Sequence, residues 1–120
     1  MIRTQDLEVY KRMHVFALYM YKITSDFPSD EKYGLISQIR RAAVSVNANI
    51  MEGGARRSNG EYRQFLYIAR GSVEELVYHV TISKDLDFIS ELVANRCIKE
   101  LNEIGRMLNG LINSIDIKNN

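Results

Sequence analysis

The chain has one cysteine, one proline and two histidines among its 120 residues, and each scarcity excludes something. A single cysteine permits no internal disulfide and suits a reducing compartment. The single proline, Pro28, leaves helical periodicity uninterrupted almost everywhere else, and no stretch alternates with period two for long. His14 and His79 fall in different segments without a partner at metal-ligand spacing. A di-metal carboxylate bundle would need Glu-x-x-His repeats. Here Glu75 and His79 are four apart, the spacing of a simple helix-surface pair. No apolar run approaches the roughly 20 residues of a membrane span, and the N-terminus carries no charged-then-apolar signal pattern. Net charge is only +1, so no global field attracts nucleic acid or membrane. These absences lead us to expect a cytoplasmic chain with no cofactor, no metal and no membrane contact.

A length of 120 residues suits one domain, 1–120, with a core of its own. Periodicity predicts four helices, at about 7–25, 30–52, 59–86 and 91–115. Val9, Met13, Phe16, Ala17, Met20 and Ile23 make one apolar face of the first. Phe27-Pro28-Ser29 ends it, because a residue before proline avoids the helical region. Ser29 is placed to cap the second helix, with Asp30 and Glu31 favourable to its dipole. Gly53-Gly54 is expected to stop that helix in the left-handed conformation. Ser58-x-x-Glu61 has capping-box spacing for the third helix, and Ser90 can cap the fourth. The fourth helix carries the stripe Val93, Cys97, Leu101, Ile104, Leu108, Leu111, Ile112 and Ile115. The tail Lys118-Asn119-Asn120 is expected to fray. Short connections between four helices imply an all-α, antiparallel up-down-up-down four-helix bundle. Internal repeats and low-complexity segments are absent.

Two helices have more faces than one bundle can bury. In the third, Tyr62, Phe65, Leu66, Ala69, Val73, Leu76, Val77 and Val80 cover an arc of roughly 120° at 100° per residue. Tyr67, Ile68, Tyr78, Ile82 and Leu86 lie outside it, with Gly71 on the same side. A contiguous second apolar face on a helix predicts self-association. In the second helix, Leu35, Ile39, Ala42, Ala43, Val46 and Ile50 form the core stripe. Gln38, Arg41, Ser45, Asn49 and Glu52 form a polar line within roughly 80°. That line has small residues and no lysine, which favours a sheltered hydrogen-bond ladder over a wet face. Glu52 is expected to pair with an arginine of the second or third helix, Arg41 and Arg70 being the best placed, so that Glu52→Ala would destabilise the fold or the oligomer. A third side holds Arg40, Val44, Asn47 and Met51, with Arg40 directed outward. Val44, Met51, Tyr67, Ile68, Tyr78 and Ile82 are the candidate oligomer contacts.

Charge is unevenly placed. Between residues 40 and 70, six arginines face only Glu52 and Glu61, a local surplus of +4 against −3 elsewhere. Such asymmetry can mark an anionic partner; arginines engaged in salt bridges are the competing explanation. Catalytic signals are thin. Cys97 sits mid-stripe, as a buried structural thiol would. No Gly-rich phosphate loop follows a strand, and Glu74-Glu75 and Glu100/Glu103 suggest no convergent pocket. We expect no enzyme.

Several motifs together carry a resemblance. They are Phe27-Pro-x-x-Glu-x-Tyr-Gly-Leu35, Gln38-x-Arg-Arg-Ala-Ala-x-Ser45, Asn49-Ile-x-Glu-Gly53, Phe65-Leu-Tyr-Ile-Ala-Arg-Gly-Ser72, Glu75-Leu76 and Ile104-Gly-Arg-Met-Leu-Asn-Gly-Leu-Ile112. In this order they resemble the four-helix-bundle proteins related to those encoded in 23S ribosomal RNA intervening sequences. Asn47 and Met51 depart from the family pattern, which favours proline or a small residue at the first and alanine at the second. The resemblance implies a bacterial source, an antiparallel four-helix bundle and frequent assembly as a ring of five, and it establishes neither a catalytic activity nor a place in the ribosome. Related bundles act as basic accessory proteins that bind nucleic acid and a reverse transcriptase; this chain is far less basic.

Two functions therefore compete. One is a non-catalytic homo-oligomer, a pentamer, that binds RNA or other nucleic acid through Arg56, Arg57 and Arg63, the arginines near the turn between the second and third helices. Aromatic side chains for base stacking are not obviously interleaved with those arginines in the sequence. The other is a structural or adaptor oligomer that recruits a protein partner through its surplus apolar surface.

Overall fold

The computed structural model describes residues 3–116. A 3-10 turn, Thr4–Asp6, precedes α1 (Glu8–Thr24). A second 3-10 turn, Ser29–Glu31, leads to α2 (Leu35–Gly54), followed by α3 (Asn59–Asp85) and α4 (Glu91–Ser114). No strand occurs among the described residues, and the expected fraying of residues 118–120 lies outside them. Each helix touches its neighbour in sequence, and α4 closes back onto α1. The result is the antiparallel up-down-up-down bundle that short connections require.

Contacts between loops fix which ends lie together. At one end, Phe27 of the α1–α2 joint packs against Phe88 of the α3–α4 turn, with ring centroids 5.3 Å apart. Phe88 is placed there by the way α3 stops. Asp87 adopts a left-handed φ of 62°, the Phe88 N–H bonds the Ser83 carbonyl, and the Asp87 N–H bonds the Lys84 carbonyl. This is a Schellman ending with aspartate in the usual glycine place. At the other end, Asn59 donates to the Asp116 carbonyl (2.8 Å), and Thr4 of the first 3-10 turn sits over Gly54.

The core takes residues from all four helices, including Met13 and Met20, Ile39 and Ile50, Leu66 and Leu76, and Leu101, Ile104 and Leu108. The predicted stripes hold, with small additions at Ile36, Ala94, Ser72 and Ser83. Ala17, Ile23, Leu35, Val93, Leu111 and Ile115 pack at its edge. Cys97 is buried, which pushes its thiol up to about 11 and keeps it uncharged near neutral pH.

Two of the four cap expectations hold. Ser58 Oγ accepts from the Glu61 N–H at 3.1 Å, and Ser90 Oγ accepts from Val93 at the same distance. The other two are corrected. Ser29 does not cap α2. It opens a separate 3-10 turn, the chain breaks at Gly34, and the Glu31 carboxylate accepts the Leu35 N–H at 3.2 Å. Gly53-Gly54 does not end α2 in a left-handed turn. Both glycines are helical, and no glycine among the described residues has positive φ. Gly53 serves packing instead. A Cβ there would lie 2.7 Å from Phe65 Cβ and 3.0 Å from a Tyr62 ring carbon, so its absence lets α2 and α3 close together just before the turn.

Candidate nucleic-acid interface

The polar line of α2 divides into three separate arrangements. In the middle, Ser45 Oγ lies 3.0 Å from Ser72 Oγ of α3, and the Asn49 amide donates to the Ser45 carbonyl and hydroxyl at 2.8 and 3.0 Å. These half-buried groups satisfy one another across the closest helix pair. Toward the start of α2, Arg41 donates to Gln38 Oε1 (2.9 Å) and to Glu75 Oε2 (2.7 Å). The same carboxylate oxygen lies 2.8 Å from His79 Nε2. The Glu75–His79 pair is thus present, but His79 is only 12% exposed and is sheltered by the α2–α3 seam.

Toward the end of α2, Glu52 pairs with Arg56 at 2.8 Å, not with Arg41 or Arg70. The expectation of a Glu52-centred ladder is corrected: Glu52 projects outward one turn before Arg56, while Arg41 and Arg70 face other partners. Consequently Glu52→Ala should shift chemical denaturation by no more than about 0.5 kcal/mol, the range of an exposed i,i+4 pair. Glu75→Ala strips both Arg41 and His79 of an acceptor and should cost about 1 kcal/mol. An equal or larger loss at Glu52 would contradict this assignment.

Arg40 is not an outward residue either. Its Nε donates to Thr24 Oγ1 at 2.9 Å and an Nη to the Tyr21 carbonyl at 3.2 Å, and its guanidinium lies 4.8 Å from the Tyr21 ring centroid. It clamps the last turn of α1, where carbonyls lack helical partners. On the same side, Asn47 donates to the Tyr10 carbonyl at 2.9 Å.

The remaining arginines gather near the α2–α3 turn and along the first turns of α3. Arg56 is neutralised by Glu52 and lies over the Phe65 ring at 4.7 Å. Arg57 is exposed and makes no ion pair or hydrogen bond among the described residues. Arg63 and Arg70 have no carboxylate partner among the described residues, and both lie over Tyr67, their guanidinium carbons 5.9 and 4.8 Å from the ring centroid. Arg70 also donates to Asn109 Oδ1 of α4 at 2.8 Å, which fixes its direction. A groove of about 370 Å³, lined by Gly60, Arg63, Gln64 and Tyr67, runs beside this stack. Helical spacing explains the arrangement, since residues 63, 67 and 70 are separated by four and three and share one face. Aromatic and guanidinium groups therefore do interleave. The sequence holds that signal in Arg63-x-x-x-Tyr67-x-x-Arg70, but by helical periodicity alone Tyr67 falls with the apolar surplus of α3.

Another charged cluster was illegible in sequence because its members are far apart in the chain. Arg12 of α1 makes a two-pronged bond to Glu100 of α4, its Nε 3.1 Å from Oε2. Arg106 holds Glu103 on the next turn, chiefly by hydrogen bonding, and keeps that carboxyl below its ordinary range. Arg96 and Lys99 complete a cleft of about 320 Å³ there. An adjoining cleft of about 370 Å³, lined by Val15, Phe16, Tyr19, Arg96, Cys97 and Glu100, follows the α1–α4 seam.

The candidate oligomer residues lie on two sides of the bundle. Val44 and Met51 line an α1–α2 groove of about 310 Å³ with Leu18 and Tyr21. Tyr67, Ile68 and Tyr78 are exposed on α3, whereas Ile82 is half-buried. Nothing lies within 4 Å of the place a Gly71 Cβ would take. No group of three or more potential metal ligands occurs among the described residues, and no helix there is long and apolar enough to cross a membrane.

The fold has a solved counterpart. A crystal structure of a protein of unknown function from the S23 ribosomal protein family of Bacteroides thetaiotaomicron VPI-5482 superposes with a TM-score of 0.77 at 22% identity, covering 87% of this chain and 97% of that one. At that identity the likeness establishes the fold alone. No curated protein matches the sequence. The family model described as 23S rRNA-intervening sequence protein matches residues 5–110, the four helices almost entire, and this chain belongs to that family.

Proposed function

We propose that the protein is a non-catalytic homo-oligomer, a pentamer, that binds RNA through the basic end of α3. The observation that carries this reading is a group of arginines that have no carboxylate partner among the described residues: Arg63 and Arg70 lie over Tyr67, Arg63 and Tyr67 line an open groove, and Arg57 is exposed in the turn before α3. Cations free of internal pairing are the ones that can displace counterions from phosphates. Arg56, by contrast, is already neutralised, so Arg70 replaces it in the candidate set. Three contacts per chain make a weak site alone, and assembly multiplies it. The apolar residues on two different sides, Leu18, Val44 and Met51 in the α1–α2 groove and Ile68 and Tyr78 on α3, suit the head-to-tail contacts of a ring. Tyr67 then belongs with the arginines instead of the subunit contact. The proposed compartment is the cytoplasm.

The test is a salt-titrated binding assay with structured RNA, alongside native mass measurement. The variant R57A/R63A/R70A should bind at least tenfold more weakly near 50 mM salt and show a shallower salt dependence, each lost phosphate contact removing about 0.7–0.9 from the log–log slope. Absence of binding at low salt, or binding unaffected by the three substitutions, would defeat the RNA reading. A protein-recruiting adaptor is the second reading, favoured by the α1–α4 cleft with exposed Val15 at its wall. Protein partners that persist in a pull-down after nuclease treatment, and that Val15→Glu removes, would support it.

A further inference from the structure

We infer that the Arg63–Tyr67–Arg70 stack recognises an unpaired nucleobase, so that the preferred RNA is a single strand or loop and not a continuous duplex. This rests on the RNA-binding reading above and specifies its ligand.

Tyr67 lies one turn beyond Arg63 and one turn before Arg70. The two guanidinium groups hold the ring in place, and Arg63 Nη2 is also 3.5 Å from its hydroxyl. Even so the residue stays 43% exposed. A held, partly exposed aromatic ring loses little rotational freedom when a base stacks on it or against the guanidinium planes beside it, and base–aromatic stacking with flanking arginines is how sequence-tolerant single-strand sites work. The neighbouring groove contains Gln64, whose amide offers a donor and an acceptor together, the complement of a base edge. Glycine at position 60 leaves no side chain to narrow that end of the groove. Arg57 supplies a further cation for a flanking phosphate.

Pairing decides which nucleic acid can use this arrangement. In a duplex both faces of each internal base are stacked and its pairing edge is occupied, so Tyr67 has no face to stack on and Gln64 no pairing edge to meet. Duplex binding would instead call for a long basic stripe tracking two backbones. Here the basic stretch is short, with Glu61 before Arg63 and exposed Glu74 one turn after Arg70. That length suits a few nucleotides of one strand.

The experiment compares a fluorescein-labelled twelve-nucleotide RNA single strand with a blunt RNA duplex of equal length, by anisotropy at 50 mM salt, using the full chain. The single strand should bind about tenfold or more tightly than the duplex. Tyr67→Ala should weaken single-strand binding about tenfold, Tyr67→Phe should retain it, and Tyr67→Leu, which keeps apolar bulk without a π-face, should not. A 2-aminopurine at the centre of the strand should be quenched by the parent and the phenylalanine variant only. Circular dichroism and native mass of each variant check folding and assembly. Equal binding of duplex and single strand, with Tyr67→Ala behaving as the parent while R57A/R63A/R70A still weakens both, would overturn this inference and leave the RNA reading standing. No binding of either nucleic acid would remove both. A change of oligomeric mass in Tyr67→Ala, with binding per assembled unit unchanged, would place Tyr67 at a subunit contact and also overturn it.

Discussion

Leu76→Ala is expected to lower the unfolding free energy by about 3 kcal/mol, within the roughly 2–5 kcal/mol range of buried leucine truncations. Leu76 is fully buried on α3, the helix that packs against both α2 and α4. Its loss removes the burial of a methine and two methyl groups and leaves a void. The void does not close easily, because the surrounding interior is close-packed and relaxes only in part. At about 3–5 °C per kcal/mol for a domain of this size, the melting temperature should fall by roughly 10–15 °C. Urea denaturation followed by far-ultraviolet circular dichroism measures the change at constant protein concentration, which matters if subunits associate. A loss under about 1 kcal/mol would mean that the helices around Leu76 repack, contrary to the rigid seam described here.

Gly53→Ala is the second large effect, and its sign separates two roles for glycine. Inside a helix, alanine is normally better than glycine by about 1 kcal/mol. At position 53 the new Cβ would meet the Phe65 Cβ at 2.7 Å and the Tyr62 carbonyl oxygen at 3.3 Å. The first of these is held on the backbone and cannot swing away, so α2 and α3 must separate. Overpacking of this kind costs about 1–3 kcal/mol, which more than offsets the helical gain, and a net loss of up to about 2 kcal/mol is expected. Gly71→Ala, mid-helix in open space, should instead gain up to about 1 kcal/mol in the monomer. Thermal and urea unfolding of the two variants side by side checks the opposition. If Gly53→Ala were neutral or stabilising, a close approach of α2 and α3 at the turn would be wrong. The same substitution bears on the site, because Phe65 carries the Arg56 guanidinium and the turn positions Arg57.

Much of the architecture was legible because it is local. Stripes such as Met13–Phe16–Met20 and Cys97–Leu101–Ile104–Leu108 obey a 3.6-residue period that any helix imposes, and a serine two or three residues before the first bonded N–H reads as a cap wherever it occurs. Ser58 and Ser90 follow that rule. Ser29 satisfies it equally well on paper, yet Gly34 breaks the chain before α2 begins and Glu31 takes over the capping bond. Gly53 misleads for a related reason. A glycine that ends a helix and a glycine that admits a neighbour look alike until the neighbour, here Phe65, is in place.

The candidate site was legible in part. Arg57 and Arg63 stood out by charge density alone. Their difference from Arg56 did not, because a guanidinium on a long flexible stem can reach several acceptors, and which one it meets depends on helices distant in the chain. Arg41 reaches Glu75, Arg40 reaches Thr24, Arg70 reaches Asn109, and Arg12 reaches Glu100. The sequence by itself determined four amphipathic helices, their order, and an arginine-rich region in the middle of the chain, since periodicity and charge are properties of neighbouring residues. Only the tertiary structure decided which arginines are neutralised, which glycine is a packing contact, and that Tyr67 sits with two cations that no carboxylate among the described residues neutralises, because each of those outcomes depends on side chains brought within a few ångströms by helix packing.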